Sequence, residues 1–187
     1  MNEVSARPLD PRAQRSRQRL HEAMLALVAK KRLDDISITE IVAQAEIGYA
    51  TFFRHYPDKQ SLWNAVTASL LHEINLRVSA LIASDDHHAA AIEICRFVDQ
   101  HKDVYRVMLA GGAANHTRDA MLFDSLAVAS SSQDAASIDL PPTLGSHFAV
   151  GAIFAILAWW LEGHDDIEPE QIGAYLDRLV FTPLFDF

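Results

Sequence analysis

Between Ser37 and Pro57 the chain is cut into two short helix-compatible runs, and this punctuation constrains the fold more than any other feature. Ser37-Ile38-Thr39-Glu40 spells a capping box, in which the Ser37 side chain takes a backbone N–H and Glu40 reaches back to the cap amide. The helix it starts runs from Ile38 to about Ala45 and breaks at Glu46-Ile47-Gly48. A second runs from Tyr49 to about His55 and ends at Pro57-Asp58. Helices this short are marginal in water and must be braced by something longer. The segment from roughly Arg12 to Lys31 supplies the brace, with Leu20, Ala23, Met24, Leu27 and Val28 at helical spacing. Ile38, Ile41, Val42 and Ile47 form an apolar wedge, and Phe52 is the core anchor of the second short helix. The pattern is that of a tri-helical helix-turn-helix.

The rest reads as helix too, with no sustained strand alternation. A long helix covers Lys59 to about Ala83, with Leu62, Val66, Leu70, Ile74 and Val78 on one face. Beyond the polar break Asp85-Asp86-His87-His88, helical patterns cover 88–101, 103–110 and 116–130, with Gly111-Gly112 after the second. Ser130 to Pro142 is a loop. Helices follow from Thr143 to Glu162, stopping at Gly163, and from Pro169 to a stop near Pro183. The expected fold is all-α, with about nine helices: an arm at 1–11, a DNA-binding domain at 12–72 with its motif at 37–56, and a regulatory and dimerisation domain at 73–187. One cysteine, Cys95, excludes an internal disulfide framework and fits a reducing compartment. No signal peptide is visible at Met1–Asp10. The longest apolar run, Phe148 to Leu161, is short for a membrane span and reads as a buried helix. A soluble, cytoplasmic protein is expected.

The net charge of −9 hides an asymmetry. Residues 1–60 hold ten Lys/Arg against eight Asp/Glu, and residues 61–187 hold six against seventeen. Only the first third suits a polyanion. Arg12, Arg15, Arg17 and Arg19 crowd the start of the first helix, while Tyr49, Ala50, Phe53 and Arg54 are left over once Phe52 is assigned to the core. A short helix with aromatic, small and cationic exposed side chains fits the major groove, its N-terminal residues meeting base edges.

The stretch from Ser37 to Leu62 resembles the DNA-binding signature of the TetR family of transcription regulators: a cap, an Ile-Ala-like pair, a turn, a Thr-aromatic recognition helix, a His-aromatic pair and a lysine. The resemblance covers about the first 60 residues, and Trp159-Trp160-Leu161-Glu162 is similar to a C-terminal variant of that family. It implies that Tyr49 and Ala50 read bases and that Thr51, His55, Tyr56 and Lys59 contact phosphates, within a surface completed by Ser37, Thr39, Gly48, Phe53 and Arg54. Three departures stand out. Glu46 occupies a turn position that often needs positive φ, costly for glutamate. Gly48 replaces a serine cap at a loss of only a few tenths of a kcal/mol. Phe53 lacks the hydroxyl that a tyrosine would offer a phosphate.

The helix from 143 to 162 is apolar nearly all round and needs cover on more than one side. A symmetry mate supplies it through an isologous four-helix interface including Phe148, Ala152, Ala155, Trp159, Tyr175 and Leu179; enclosure within its own domain is the alternative. An effector pocket, implied by the resemblance, would lie near Phe97, His101, Tyr105, Met108, Phe123 and His147, all of which also read as plain core or surface. No metal-ligand spacing, catalytic constellation or cofactor motif is present, so no enzyme, metal or cofactor is expected. Double-stranded operator DNA, a second copy of the chain and a small effector are the expected partners, with no membrane. The leading expectation is a homodimeric repressor at a palindromic operator, released by its effector; the alternative is an activator whose C-terminal part binds a protein.

Overall fold

The computed structural model describes residues 11–109, 141–164 and 166–185. All its regular structure is helical, in two compact units, residues 1–66 and 67–187. The N-terminal arm, the expected 116–130 helix, the loop that follows it and Phe123 lie outside the described residues.

The first unit holds α1 (Pro11–Val28), a 3-10 turn (Leu33–Asp35), α2 (Ile38–Gln44), α3 (Tyr49–His55) and the start of α4 (Lys59–Ala83). α1 ends three residues earlier than expected, because the Lys30 and Lys31 amides both fold back on the Leu27 carbonyl, at 3.0 and 3.1 Å. The core is what the periodicity foresaw: Leu20, Met24, Ile41, Phe52 and Leu62 are withdrawn completely from solvent, and Ile36 joins them from the turn. Each such side chain contributes roughly 1.5–3 kcal/mol of burial, and the two short helices have little else to hold them.

The second unit contains the rest of α4, then α5 (His87–Gln100), α6 (Lys102–Leu109), α7 (Pro142–Leu161) and α8 (Pro169–Leu176). A π-helical segment (Asp177–Phe181) and a last turn, α9 (Thr182–Phe185), follow. The chain therefore stays helical through Pro183 rather than stopping there. α9 follows directly on the π-helical segment, so Pro183 lies within one continuous helical run. Ala91, Leu176 and Phe181 are buried together, with Ile94, Ile153 and Ile156 against them. Trp160 is fully buried, its indole N–H donating to the Ile167 carbonyl at 3.0 Å. Arg96 to Glu170 (2.8 Å) and His88 to Asp177 (2.8 Å) tie α5 to the C-terminal helices. Cys95 is buried core, and desolvation pushes its thiol up to about 12.

α7 is longer than the apolar run that announced it, because Gly145, Ser146 and His147 are helical as well. By length and composition alone it is sufficient to cross a membrane. Val150, Phe154, Leu157, Trp160 and Leu161 are nevertheless buried within the unit.

α5 and α8 approach so closely that a Cβ at Gly173 would lie 2.7 Å from the Ile92 Cα and 3.0 Å from its backbone nitrogen. Backbone cannot rotate aside as a side chain can. Gly173→Ala should therefore destabilise the second unit by about 1–3 kcal/mol, read as a lower urea midpoint, whereas Ala substitution at the uncrowded Gly151 should not.

Candidate nucleic-acid interface

The reading surface begins with the start of α2. Ser37 accepts from the Glu40 amide (3.3 Å), and Glu40 Oε2 accepts from the Ser37 amide (3.0 Å) and hydroxyl (2.7 Å), so the capping box is complete. Lys31 also donates to Glu40. These donors pull the Glu40 carboxyl down to about 2, Lys31 first and Ser37 second. After α2 the Ile47 amide returns to the Val42 carbonyl at 3.0 Å, closing a turn that leaves Glu46 at φ 53°. The left-handed conformation anticipated for Glu46 is present, at a cost of roughly 1–2 kcal/mol. Arg19 lies 4.0 Å from the exposed Glu46 carboxylate and offsets part of its charge. Gly48 is extended at the N-cap, and its carbonyl accepts from Thr51 (2.9 Å) and Phe52 (3.2 Å).

With Phe52 turned inward, α3 presents Tyr49, Ala50, Phe53 and Arg54 to solvent. Tyr49 and Phe53 are stacked one turn apart, with ring centroids 6.4 Å apart and planes at 22°. Tyr49 is not a free rotor, since its hydroxyl is hydrogen-bonded to Thr39 Oγ1. That bond joins the exposed face of α2 to the first turn of α3. Thr39 and Gly48 are exposed beside it, Thr51 is half-buried, and Arg15, Arg17 and Arg19 are exposed along α1. Neutral aromatic and hydroxyl groups flanked by arginines are suited to base edges and phosphates respectively.

Four residues expected at the DNA have other surroundings within the unit. Tyr56 is buried, and its hydroxyl lies 2.8 Å from His21 Nε2. His55 has Nε2 buried with no hydrogen-bond partner among the described residues. The Ser37 hydroxyl belongs to the capping box. The Lys59 ammonium donates to the carbonyls of Leu33 (2.8 Å), Asp34 (3.1 Å) and Ile36 (2.8 Å). The spacing of Ser37 and Glu40 reveals the cap, whereas the partners of Tyr56 and Lys59 lie 23 to 35 residues away in sequence and the setting of His55 depends on burial. His21, which sequence reasoning passed over, is a positional partner of Tyr56. Desolvation first and the Arg17 charge second hold the pKa values of His21 and His55 below the ordinary histidine range, although Arg54 also bears on His55.

In the second unit the expected pocket residues differ in exposure. Phe97, Tyr105 and Met108 are buried core, with His101 against the Phe97 ring (4.8 Å) and the Arg77 guanidinium over it (4.8 Å). His147 is not with them: it is exposed on α7 and bonds to the Thr143 carbonyl at 2.7 Å, an i, i−4 contact. Of the expected dimer residues, Phe148, Ala155, Trp159, Tyr175 and Leu179 are exposed and Ala152 is half-buried. Leu144 extends the apolar surface.

No family model matches the chain. It is similar to the helix-turn-helix-type transcriptional regulator YvdT of Bacillus subtilis strain 168, itself uncharacterised, at 23% identity over 105 residues. That match covers 54% of this chain and about half of YvdT, 54%. Among solved structures, a TetR-family transcriptional regulator from Syntrophomonas wolfei superposes with a TM-score of 0.73 at 18% identity, over 91% of this chain and 95% of that one. NalD, the secondary repressor of the MexAB-OprM multidrug efflux pump of Pseudomonas aeruginosa, superposes with a TM-score of 0.64 at 14% identity, over 93% and 97%. The chain has the all-helical fold of the TetR-type transcriptional regulators.

Glu40 ties the capping box to Lys31, and its carboxyl is depressed, so its contribution to stability is complete above the ordinary carboxylate range. That contribution should drain away as pH falls from about 4.5 toward 2. Thermal melts of the chain over that interval should steepen for wild type and flatten for Glu40→Gln; parallel curves would contradict the linkage.

Proposed function

We propose that the chain is a homodimeric transcription regulator that inserts α3 into the major groove of a palindromic operator, working in the cytoplasm as a repressor released by a small molecule. The observation that carries the proposal is the α3 face: Tyr49 and Phe53 are large, apolar and about half exposed, at 47% and 51%, on a helix whose other aromatic, Phe52, is fully buried. Exposed aromatics flanked by Arg54 and the α1 arginines are costly as bare surface and useful against base edges and phosphates.

The dimer reading is supported by α7 and the helix after it. Leu144, Phe148, Trp159, Tyr175 and Leu179 are all exposed, from 38% to 59%, and Phe148, Ala152, Ala155 and Trp159 recur at helical spacing along α7. A row of that size in a single chain is the kind of patch that association covers. Two copies joined there would supply two reading heads for half-sites about 34–36 Å apart. Of the α3 residues, Tyr49 and Ala50 at its N-terminal end are assigned to bases. Thr39, Thr51, Arg54 and the α1 arginines are assigned to phosphates.

Fluorescence anisotropy on duplexes selected from a random pool tests the assignment. Tyr49→Ala should reduce discrimination between the selected duplex and a scrambled one by roughly 1–3 kcal/mol, and Arg54→Ala should weaken both alike. Equal behaviour of the two variants would remove the division of labour. Phe148→Glu with Leu179→Glu should convert the dimer to monomer in sedimentation and lower operator affinity; a variant that stays dimeric would place the interface elsewhere.

A further inference from the structure

The three carbonyls on Lys59 assign this residue a different task from phosphate binding. Leu33, Asp34 and Ile36 belong to the 3-10 turn and the buried residue after it, the point where the chain leaves α1 and enters the α2 cap. The Leu33 carbonyl already accepts from the Ile36 amide at 3.2 Å, while those of Asp34 and Ile36 lie at the end of the turn, where a helix leaves carbonyls without partners of its own. An ammonium has three donors, and here three carbonyls converge on it at 2.8, 3.1 and 2.8 Å. The anion position at the start of α4 is also occupied from within. The Asp58 carboxylate accepts from the Ser61 amide at 2.7 Å, and that bond, with the Ser61 hydroxyl, holds it below its ordinary range. A phosphate approaching this end of α4 meets a committed lysine and a carboxylate.

We infer that Lys59 is a positioning residue for DNA reading: it pins the α1–α2 turn to the first turn of α4 and thereby sets the attitude of α2 and α3, without touching a phosphate. The inference rests on the DNA-binding reading for its consequence, though not for its geometry. Lys31 pairs with Glu40 of the α2 capping box, so the entry to α2 is held by two lysines, one on a side chain and one on the backbone. Arginine is a poor substitute, because its planar fork cannot place three donors on three converging carbonyls.

Reductive methylation of the wild-type, DNA-free chain reads the geometry. Lys59 should react about tenfold more slowly than the exposed Lys30, as a hydrogen-bonded ammonium worth a kcal or so of protection requires; equal rates would overturn the assignment. Anisotropy against salt reads the consequence. Lys59→Met and Lys59→Arg should both lose about tenfold in affinity for the selected duplex with the slope of log K against log salt unchanged. Restored affinity in Lys59→Arg, or a slope reduced by about 1 per protomer in Lys59→Met, would make Lys59 a phosphate ligand after all. Should Lys59→Met fail to fold, Lys59→Arg and the methylation contrast still decide. If the wild-type chain binds no duplex, the proposed function falls, while the methylation rates still judge the clamp.

Discussion

A helix of seven residues has no stability of its own, and α3 persists because Phe52 is taken wholly out of water. Everything offered to a ligand by the first unit depends on that burial. With Phe52 fixed, the helical period obliges Tyr49, Ala50, Phe53 and Arg54 to face outward. The Tyr56 hydroxyl, held by His21, fixes the C-terminal end of the same helix, and the Thr39–Tyr49 bond fixes its first turn. The helix is therefore held at both ends, which under the proposed function would let a small helix discriminate between base edges.

Electrostatics divides along the same line as the fold. The acidic excess lies in residues 61–187, leaving the first third, with the arginines of α1 and Arg54, slightly basic. Three of the eight carboxylates there are held by the structure around α2 to α4: Glu40 in the cap, Asp58 at the start of α4, and Glu46 near Arg19. Glu46 still carries backbone strain that a glycine would avoid.

Helix positions were legible because the signals are local. The capping box, the break at Glu46-Ile47-Gly48, the proline at 57 and the 3.6-residue apolar rows placed α1 to α4 within a few residues, and Gly163 ended α7 as expected. Residues whose roles depend on distant partners were not legible. Lys59 and Tyr56 look like surface cations and hydroxyls in one dimension; only the fold brings Leu33, Asp34, Ile36 and His21 to them. The same holds for Gly173, an unremarked glycine whose importance is set by the Ile92 backbone. In the expected pocket, hydrophobic spacing does not distinguish a lining from a core, and Phe97, Tyr105 and Met108 are buried.

The central claim is that the exposed face of α3 reads duplex DNA as one half of a two-fold pair. Selection of the purified chain against a randomised duplex pool at low salt tests it most directly. The account predicts enrichment of an inverted repeat whose half-site centres lie about one helical turn or a small multiple of it apart, and loss of that enrichment with Tyr49→Ala. A folded chain that enriches no sequence and retains no duplex would contradict it.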